Sequence, residues 1–513
     1  MKQVLVSSLL MVLMVLMVLI VPAATHAMEE GPDRVIAATP AAAVQRSPLA
    51  QALHEARAAG DTDLVYSLTA QLRGSAAPAG ESALAPFAPR ISTTVNGHRD
   101  GIDAPERLKS WGDDVKVSNY WPDDIERNPS MASDSAGNFY VVWQDDDEFT
   151  GYFWLHVWKS TDQGATWINW GSITNDTANL EDPSIAIGEG ATRNLLLLAY
   201  TVDDGVDRYV EVATAPLATG AFTIRSVTLP NWKYYRPVIW TDSYDYSGWW
   251  AYMTAEAEVD TVTNRNVTFN RSTDGITWDS YDVLWGNFDA ETWVDPDGTY
   301  GTTGNDVFVA CYNETTDTLQ HRRSTDLGST FEPEVVIASP AASPLRVNPD
   351  IEAATDLDHL FIGMTWRFGD STTDDTAYVY SLDAGVTWQV PYSDLRDLTA
   401  LERSVEVTAN EGGGSFHIAV TRSGEIYRAS RLQDLTYFYA IDDRITDPAG
   451  QPSGNYPKKG ITSDWSTDHV GVAWSDFRTG LPVYEIYYDF SGAGLFGDGF
   501  ESGNTDAWSS TVP

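Results

Sequence analysis

The sequence predicts an all-β chain built from one repeated unit, and two observations carry this prediction. The first is a turn pattern, Ser-x-Asp followed by Gly and then Thr-aromatic, which occurs four times after alternating strand-like runs. Asp accepts bonds from nearby backbone N–H groups and Gly supplies a positive φ, so the pattern suits a tight turn between strands. The four copies are STDQGATW from Ser160, STDGITW from Ser272, STDLGSTF from Ser324 and SLDAGVTW from Ser381.

The second observation is the regular spacing of equivalent strand starts. They recur every 54 or 55 residues with one double interval (183 − 129 = 54, 237 − 183 = 54, 349 − 237 = 112, 404 − 349 = 55, 458 − 404 = 54), at Pro129, Pro183, Pro237, Pro349, Ser404 and Lys458. The double interval contains one further unit, so the chain holds seven units in all. Such self-similarity indicates a repeat architecture. The second strand of each unit is nearly all apolar, which predicts burial on both faces.

The four turns give the sequence a clear resemblance to the Asp-box (BNR repeat) proteins, whose best-known members are the sialidases. This resemblance implies a β-propeller, and the seven units predict seven blades. The sialidases of the family have six blades, so six stays the alternative. The segment 113–119 precedes the first unit, and we expect it to complete the last blade and so to remove the free edges.

The chain divides into four predicted parts. Residues 1–27 are predicted to be a signal peptide, because an apolar run follows Lys2 and small residues precede the cleavage point; an uncleaved membrane anchor is the alternative. Residues 28–110 are predicted to be an Ala/Pro-rich spacer or pro-region, disordered at first and with two short helices. Residues 111–492 hold the propeller. Residues 493–513 resemble the tails of many exported bacterial proteins and are interpreted either as a sorting segment or as a plain disordered end.

Composition limits the partners and cofactors. The chain has 32 basic and 73 acidic side chains, for a formal net charge of −41, and this argues against nucleic acid, which needs a basic surface. The acidic runs are interpreted as a solvated shell, with Ca²⁺ binding as the alternative, and no other cofactor or metal is expected.

Cys311 is the single cysteine, so no internal disulfide forms and a buried apolar role is expected. We expect a monomer that is secreted or lies on the cell surface of a bacterium.

The face opposite the four turns is expected to carry the function. In the strand order that the resemblance implies, the fourth-to-first and second-to-third strand connections share that face. Aromatic residues with carboxylates among them suit sugar binding, because an indole stacks on the C–H face of a sugar while Asp, Asn or Arg bonds to its hydroxyls. The aromatic candidates are Trp121, Trp232 and Trp293, and filling the space between blades is the alternative role for each.

The resemblance to sialidases also implies site residues. The family's x-Arg-Ile-Pro motif on the first blade matches residues 126–129, except that Asn128 replaces Ile. The family grips a substrate carboxylate with three guanidiniums and uses a Tyr nucleophile, aided by Glu, and an Asp acid. The candidate guanidiniums begin equivalent units at Arg127, Arg236, Arg346 and Arg403. The catalytic candidates are Asp123 or Asp124 as the acid and Tyr456 or Tyr235 as the nucleophile, with Glu126 or Glu402 nearby.

Two functions of different classes therefore stay open, and so does the question whether the chain is an enzyme. The first is a sialidase-like propeller that binds a glycan or glycoprotein and hydrolyses terminal sugars as an exo-glycosidase. The alternative is a non-catalytic extracellular scaffold that uses the same face for protein contacts. Convergence of Arg127, Arg236 and either Arg346 or Arg403 on one cavity, with a Tyr in reach, distinguishes the two.

Overall fold

A computed structural model describes residues 34–36 and most of residues 111–491. The positions inside the second range that are not described are 112, 119–124, 147–150, 191–192, 229–231, 243–248, 260–264, 280–281, 289–292, 300–305, 314–317, 339–349, 356–359, 369–374, 382–384, 386–387, 389–401, 411–414, 423, 433–442, 447–449, 451, 453–458, 464–469 and 479–483. The predicted signal peptide, the two predicted helices and the tail lie outside the described residues.

In the described part of the chain, every regular element is a β-strand, and the strands form seven antiparallel sheets. Strands β1 (Arg34–Ile36) and β2 (Val115–Lys116) precede the repeated units. The first sheet contains β3 (Glu126–Ser133), β4 (Phe139–Asp146), β5 (Phe153–Ser160) and β6 (Ile168–Ile173). The second contains β7 (Asn179–Glu189), β8 (Asn194–Asp203), β9 (Arg208–Pro216) and β10 (Phe222–Ser226), with β1 on its outer edge. The third contains β11 (Trp232–Asp242), β12 (Trp250–Val259), β13 (Arg265–Ser272) and β14 (Asp282–Phe288).

The remaining sheets follow the same order along the chain. The fourth sheet contains β15 (Trp293–Thr299), β16 (Asp306–Asn313), β17 (Thr318–Ser324) and β18 (Val335–Ala338). The fifth has β19 (Asp350–Thr355), β20 (Leu360–Phe368) and β21 (Asp375–Ser381), and the sixth has β22 (Glu402–Asn410), β23 (Ser415–Arg422), β24 (Glu425–Leu432) and β25 (Asp443–Arg444). The seventh contains β26 (Lys459–Ser463), β27 (Val470–Asp476), β28 (Glu485–Phe490) and β2. The predicted all-β class is confirmed, and most sheets have four strands.

The sheets pack face to face through apolar clusters. Strands β4 and β8 are buried along nearly their whole length, which confirms the prediction from their apolar sequences. One cluster joins the first and second sheets, where the rings of Trp170 and Phe222 lie 5.6 Å apart. Another joins the first and seventh sheets, where Phe139 and Tyr488 lie 6.0 Å apart. Cys311 is fully buried between the third and fourth sheets, as expected.

The first strands of successive sheets contact one another in chain order. These contacts join β3 to β7, β7 to β11, β11 to β15, β15 to β19, β19 to β22, β22 to β26 and β26 to β3. Each first strand thus lies beside that of the preceding and that of the following sheet.

Two strands from before the repeated units extend other sheets. Strand β2 pairs with β28, with Val115 opposite Tyr488, so the segment predicted to complete the last unit does join its sheet. Strand β1 pairs with the outer strand β10, with Val35 opposite Thr223. The sequence predicted disorder around β1, and that prediction is wrong for these three residues, because the free edge of β10 supplies backbone partners that local composition does not reveal.

The four sequence repeats form turns after the third strand of the first, third, fourth and fifth sheets; we term them the Ser-Asp turns. In the first, Gly164 N donates to Ser160 Oγ at 2.7 Å, and Thr166 donates to Asp162 from its backbone N (2.8 Å) and its hydroxyl (2.6 Å). Partial burial raises the pKa of Asp162, but these bonds outweigh it and lower the pKa overall. The side chains of Ser and Asp thus hold the turn, which supports a structural role.

Each Ser-Asp turn also packs on the preceding sheet. A Cβ on Gly164 would lie 1.8 Å from the Tyr488 ring of the seventh sheet, and Trp167 meets the same ring with centroids 5.0 Å apart. In the fifth sheet, Gly385 and Trp388 pack in the same way on His321 of the fourth sheet. Glycine is required at these positions both for its positive φ and for the close approach.

Candidate functional site

The first strands of the first three sheets carry a bulge near their N-terminal ends, directly before a proline. Asn128, Asp182 and Arg236 have positive φ values of 53°, 52° and 46°, and strand pairing shifts register beside each of them. Bulges of this kind bend a strand and redirect the side chains beside it. The residues directly before the bulges occupy one repeat position and are Arg127, Glu181 and Tyr235.

These three residues belong to a continuous row of charged and aromatic side chains, termed the Arg–Glu–Tyr row. All of its members are half-buried, and they are Arg127, Phe153, Glu181, Arg208, Tyr235 and Glu258. The row crosses three neighbouring sheets at the end where their first strands begin. This is the end opposite the Ser-Asp turns, where the sequence predicted the functional face.

Guanidinium groups connect the members of the row. Arg127 Cζ lies 4.0 Å from the centre of the Phe153 ring in its own sheet. Arg208 of the second sheet donates to Glu181, and its Cζ lies 4.6 Å from the Tyr235 ring of the third sheet. The hydroxyl of Tyr235 donates to Glu258 Oε2 at 3.2 Å. A cation over a ring face therefore joins the second and third sheets at Arg208 and Tyr235, and the other contacts hold the row within each sheet.

Glu181 is the electrostatic centre of the row. Burial raises its pKa, the guanidinium of Arg208 opposes this, and the carboxylates of Asp182 and Asp203 raise the pKa further; Arg127 has a smaller lowering effect. Both arginines therefore act on one carboxyl group. The result is a carboxyl whose pKa is raised although Arg208 contacts it and both guanidiniums lower its pKa.

Arg236, a predicted guanidinium for a substrate carboxylate, forms an ion pair inside the protein. It donates from Nη2 to Glu256, whose carboxylate is almost completely buried. A buried carboxylate needs a paired cation, because an uncompensated charge in the interior is costly. Arg236 is thus committed at least in part to balancing Glu256.

Glu126, a predicted catalytic partner, lies in the contact between the first and seventh sheets. Only 2% of it is exposed, and its Oε2 accepts a hydrogen bond from the backbone N of Ile486 at 2.8 Å. Burial and the neighbouring carboxylate of Asp145 raise the pKa of Glu126 well above its ordinary value. The carboxyl group lies inside the protein instead of on an open face.

The remaining predicted site residues divide into three groups. Trp232 is half-buried and stacks on Tyr234, with ring centroids 6.3 Å apart. At Trp293 and Arg403 the structure describes the backbone, in β15 and β22, where they pair with Tyr312 and Thr421. The predicted residues that lie outside the described part of the chain are Trp121, Asp123, Asp124, Arg346 and Tyr456. The predicted convergence of three arginines on one cavity is therefore still a prediction.

Sequence reasoning missed Glu181 and Arg208, although one pattern could have found the first. Glu181-Asp182-Pro183 repeats Arg127-Asn128-Pro129 after one interval (181 − 127 = 54), so the position of Arg127 marks its equivalent in the next unit. Arg208 has no such pattern. It enters the row only because the second and third sheets lie side by side.

Comparison with known proteins gives structural likeness without close sequence relationship. No protein-family model matches the chain, and no curated protein matches it. The NanB sialidase from Streptococcus pneumoniae is similar over 74% of this chain and 69% of its own, at 16% identity and a TM-score of 0.42. A leech intramolecular trans-sialidase is similar over 74% and 68%, at 13% identity and a TM-score of 0.40. The alpha-L-arabinofuranosidase Arb93A from Fusarium graminearum is similar over 74% and 98%, at 12% identity and a TM-score of 0.46. Likeness at this level assigns no residue role to this chain.

No helix in the described part of the chain is long and apolar enough to cross a membrane. No group of three or more His, Cys, Asp or Glu side chains in the described ranges is arranged to hold a metal ion. In the acidic run at residues 203–207, Asp203 Oδ1 accepts a hydrogen bond from Gly205 N, and Asp204 Oδ1 accepts two from Val206 N and Asp207 N. These carboxylates therefore support their own turn.

Proposed function

We propose that the chain is a seven-bladed β-propeller that binds a glycan or glycoprotein at the Arg–Glu–Tyr row. The observation that carries the proposal is that one repeat position supplies a cation, a carboxyl and a phenol from three consecutive sheets. All six members of the row are half-buried, so each keeps an exposed part near the surface. The enzymatic form of this function is hydrolysis of terminal sugars.

The chemistry of the row suits a sugar. Sugar hydroxyls are both donors and acceptors, and the row offers guanidinium donors beside carboxylate acceptors at Glu181 and Glu258. The rings of Phe153 and Tyr235 add apolar surface of the kind that stacks on the C–H face of a sugar. An orienting grip of this kind needs fixed side chains. The ion pair of Arg208 with Glu181 and the stacking of Arg208 on the Tyr235 ring of the next sheet hold these groups in place.

The proposal includes the cellular setting expected from the sequence. A signal peptide, a net charge of −41 and a single buried cysteine suit a monomeric protein that is secreted or lies on a bacterial surface. Binding of Ca²⁺ by the acidic runs belongs to the same proposal as a secondary feature, with no other cofactor.

Arg127→Ala is expected to weaken glycan binding about tenfold or more, because a lost hydrogen bond to a charged group costs about 1.5–3 kcal/mol. A glycan array identifies the ligand, and calorimetry with that ligand measures the change. The matched control is Arg271→Ala. Arg271 also lies over an aromatic ring, Trp250, at 5.0 Å and pairs with Asp279, but at the end of the sheets that carries the Ser-Asp turns. Equal loss in both variants, or no binding by the wild type, contradicts the proposed site.

A non-catalytic binding propeller is the second candidate, and the ion pair between Arg236 and Glu256 favours it. A sialidase site needs guanidiniums that can receive a substrate carboxylate, whereas Arg236 already balances a buried one. A fluorogenic sialoside separates the two candidates. Release of the fluorophore by the wild type and its loss in Tyr235→Phe support hydrolysis. Glycan binding without release supports the non-catalytic form.

A further inference from the structure

Three polar side chains of the first sheet form a hydrogen-bonded chain that the proposed glycan function does not use. His156 Nδ1 lies 2.7 Å from Ser172 Oγ, and His156 Nε2 lies 2.9 Å from Asp145 Oδ2. The residues come from three adjacent strands: Asp145 from β4, His156 from β5 and Ser172 from β6. A serine, an imidazole and a carboxylate are thus connected in the order needed to activate a hydroxyl.

The burial of the three residues differs in a way that suits this chemistry. Asp145 and His156 are each 3% exposed, whereas Ser172 is half-buried on the outermost strand. Water is kept from the imidazole and the carboxylate, and the hydroxyl keeps access to solvent. With Nε2–H donated to Asp145, Nδ1 of a neutral imidazole is the acceptor for the serine hydroxyl proton.

The chain lies on the side of the first sheet that faces the seventh. His156 is directly opposite Trp143 in the ladder, and directly opposed side chains share one side of a sheet. Trp143 belongs to the apolar cluster that the first sheet shares with Ile486 and Tyr488. Ser172 therefore lies at the outer rim, between the first and last sheets.

Repetition of the structural unit does not by itself produce the hydrogen-bonded chain of Ser172, His156 and Asp145. Ser226 occupies the position of Ser172 one repeat later (226 − 172 = 54) and is also half-buried on an outermost strand. Its partner across the ladder is Glu211, and its hydroxyl lies 3.2 Å from Thr228 Oγ1. The second sheet therefore lacks the contact between serine and imidazole, and Ser226 is a natural control for Ser172.

A donor for a developing negative charge lies on the same side of the sheet. Trp154 precedes His156 by two residues, so both side chains point to one side of β5. Its indole Nε1–H is buried and has no hydrogen-bond partner among the described residues. A buried donor without a partner is costly. A substrate oxygen close to Ser172 is an acceptor to which this N–H can donate.

We propose that Ser172 is a nucleophile for carboxylic esters with a small acyl group, with His156 as its general base and Asp145 as the residue that positions the imidazole. Ser172 Oγ attacks the acyl carbonyl carbon, its proton moves to His156 Nδ1, and the carbonyl oxygen becomes an oxyanion near Trp154. When the carbonyl re-forms, the ester C–O bond breaks and the leaving alkoxide takes the proton from His156. Water then attacks the carbonyl carbon of the acyl-Ser172 ester and gives a proton to His156. The bond between the acyl carbon and Ser172 Oγ breaks, Ser172 Oγ takes this proton back from His156, and the carboxylic acid leaves. A small acyl group is specified because Ser172 is only half-exposed.

The test uses the full-length mature protein with p-nitrophenyl acetate and with a fluorophosphonate probe. The wild type is expected to hydrolyse the ester and to be labelled at Ser172, as located by peptide mass spectrometry. Ser172→Ala should abolish labelling, and His156→Gln should reduce the rate of hydrolysis at least about a hundredfold. Trp154→Phe replaces the indole by a smaller aromatic ring that has no N–H, and it should lower kcat about a hundredfold with little change in KM.

Ser226→Ala provides the matched control and should leave labelling and hydrolysis unchanged. Circular dichroism and a cooperative unfolding transition establish which variants are folded. The proposal is overturned if the folded wild type is neither labelled nor active. It is also overturned if labelling persists in folded Ser172→Ala, or if Ser226→Ala loses as much activity as Ser172→Ala. Because these assays contain no glycan, their failure leaves the proposed glycan function untouched.

Discussion

Gly164→Ala is expected to destabilise the protein by about 2–5 kcal/mol, whereas Gly205→Ala should cost about 1–2 kcal/mol. Both glycines have a positive φ, 89° and 85°, so both variants carry the backbone cost of a non-glycine residue, about 1–2 kcal/mol. Only Gly164 faces a neighbour: its Cβ would lie 1.8 Å from Tyr488 Cε1, whereas nothing lies within 4 Å of one on Gly205. Overpacking adds about 1–3 kcal/mol or more.

Urea unfolding of the two variants and the wild type measures this difference. A double-mutant cycle with Tyr488→Ala tests the cause, because removal of the ring opens space for the new methyl group. In that background the cost of Gly164→Ala should fall to that of Gly205→Ala. If the cost of Gly164→Ala is the same with and without the Tyr488 ring, the close approach is not its origin.

His321→Phe is expected to make the protein more resistant to acid. Burial, and to a smaller extent the Arg323 guanidinium, lower the pKa of His321 from its ordinary value to about 3. The imidazole stacks on Phe308 with centroids 5.7 Å apart and receives the edge of Trp388 at 5.2 Å. Both ring nitrogens are buried without a hydrogen-bond partner in the described residues. A proton on this ring would therefore be poorly accommodated.

The direction of the pH effect follows from proton binding. The unfolded chain protonates His321 near its ordinary pKa of about 6.5, whereas the folded protein does so only near pH 3. Stability from the neutral ring is complete above about pH 6.5 and is lost as the pH falls, by up to about 1.4 kcal/mol per pH unit. At pH 4.5 the wild type should lose about 2–3 kcal/mol more than His321→Phe does.

The measurement is the free energy of unfolding between pH 7.5 and 4.5 for the wild type and His321→Phe. Phenylalanine suits the position because the same contact in the third sheet is made by Phe269, which packs on Phe331 of the next turn at 4.9 Å. His321→Leu provides a second residue that does not titrate and should show the same shallower pH dependence. Parallel pH curves for all three proteins would show that His321 does not titrate on unfolding in this range.

Much of the fold was predictable because its determinants are local. The apolar runs at β4 and β8 fit strands buried on both faces, and the Ser-Asp turns contain within eight residues the groups that close them. The repeat interval then located units without such a turn, including the second sheet. Strand β1 was missed, because an edge strand of three residues depends on a free edge elsewhere in the chain.

The candidate site was predictable only in part. The sequence pointed to Arg127, Arg236 and Tyr235. In the structure these residues contact Phe153, Glu256 and Glu258 respectively. Each partner lies on another strand of the same sheet, so its identity depends on strand register. Glu126 was expected at an open site, but its neighbours in the seventh sheet enclose it.

The sequence by itself determined the all-β class, the positions of the Ser-Asp turns and the interval at which strands recur, because turn chemistry and alternation act over a few residues. Only the tertiary structure decided which polar and charged side chains contact one another. Arg208 reaches both Glu181 and Tyr235, and His156 connects Ser172 to Asp145, in sheets whose strand pairing shifts register at bulges. A shift of one residue turns a side chain to the other face of a sheet, so no local pattern specifies these contacts.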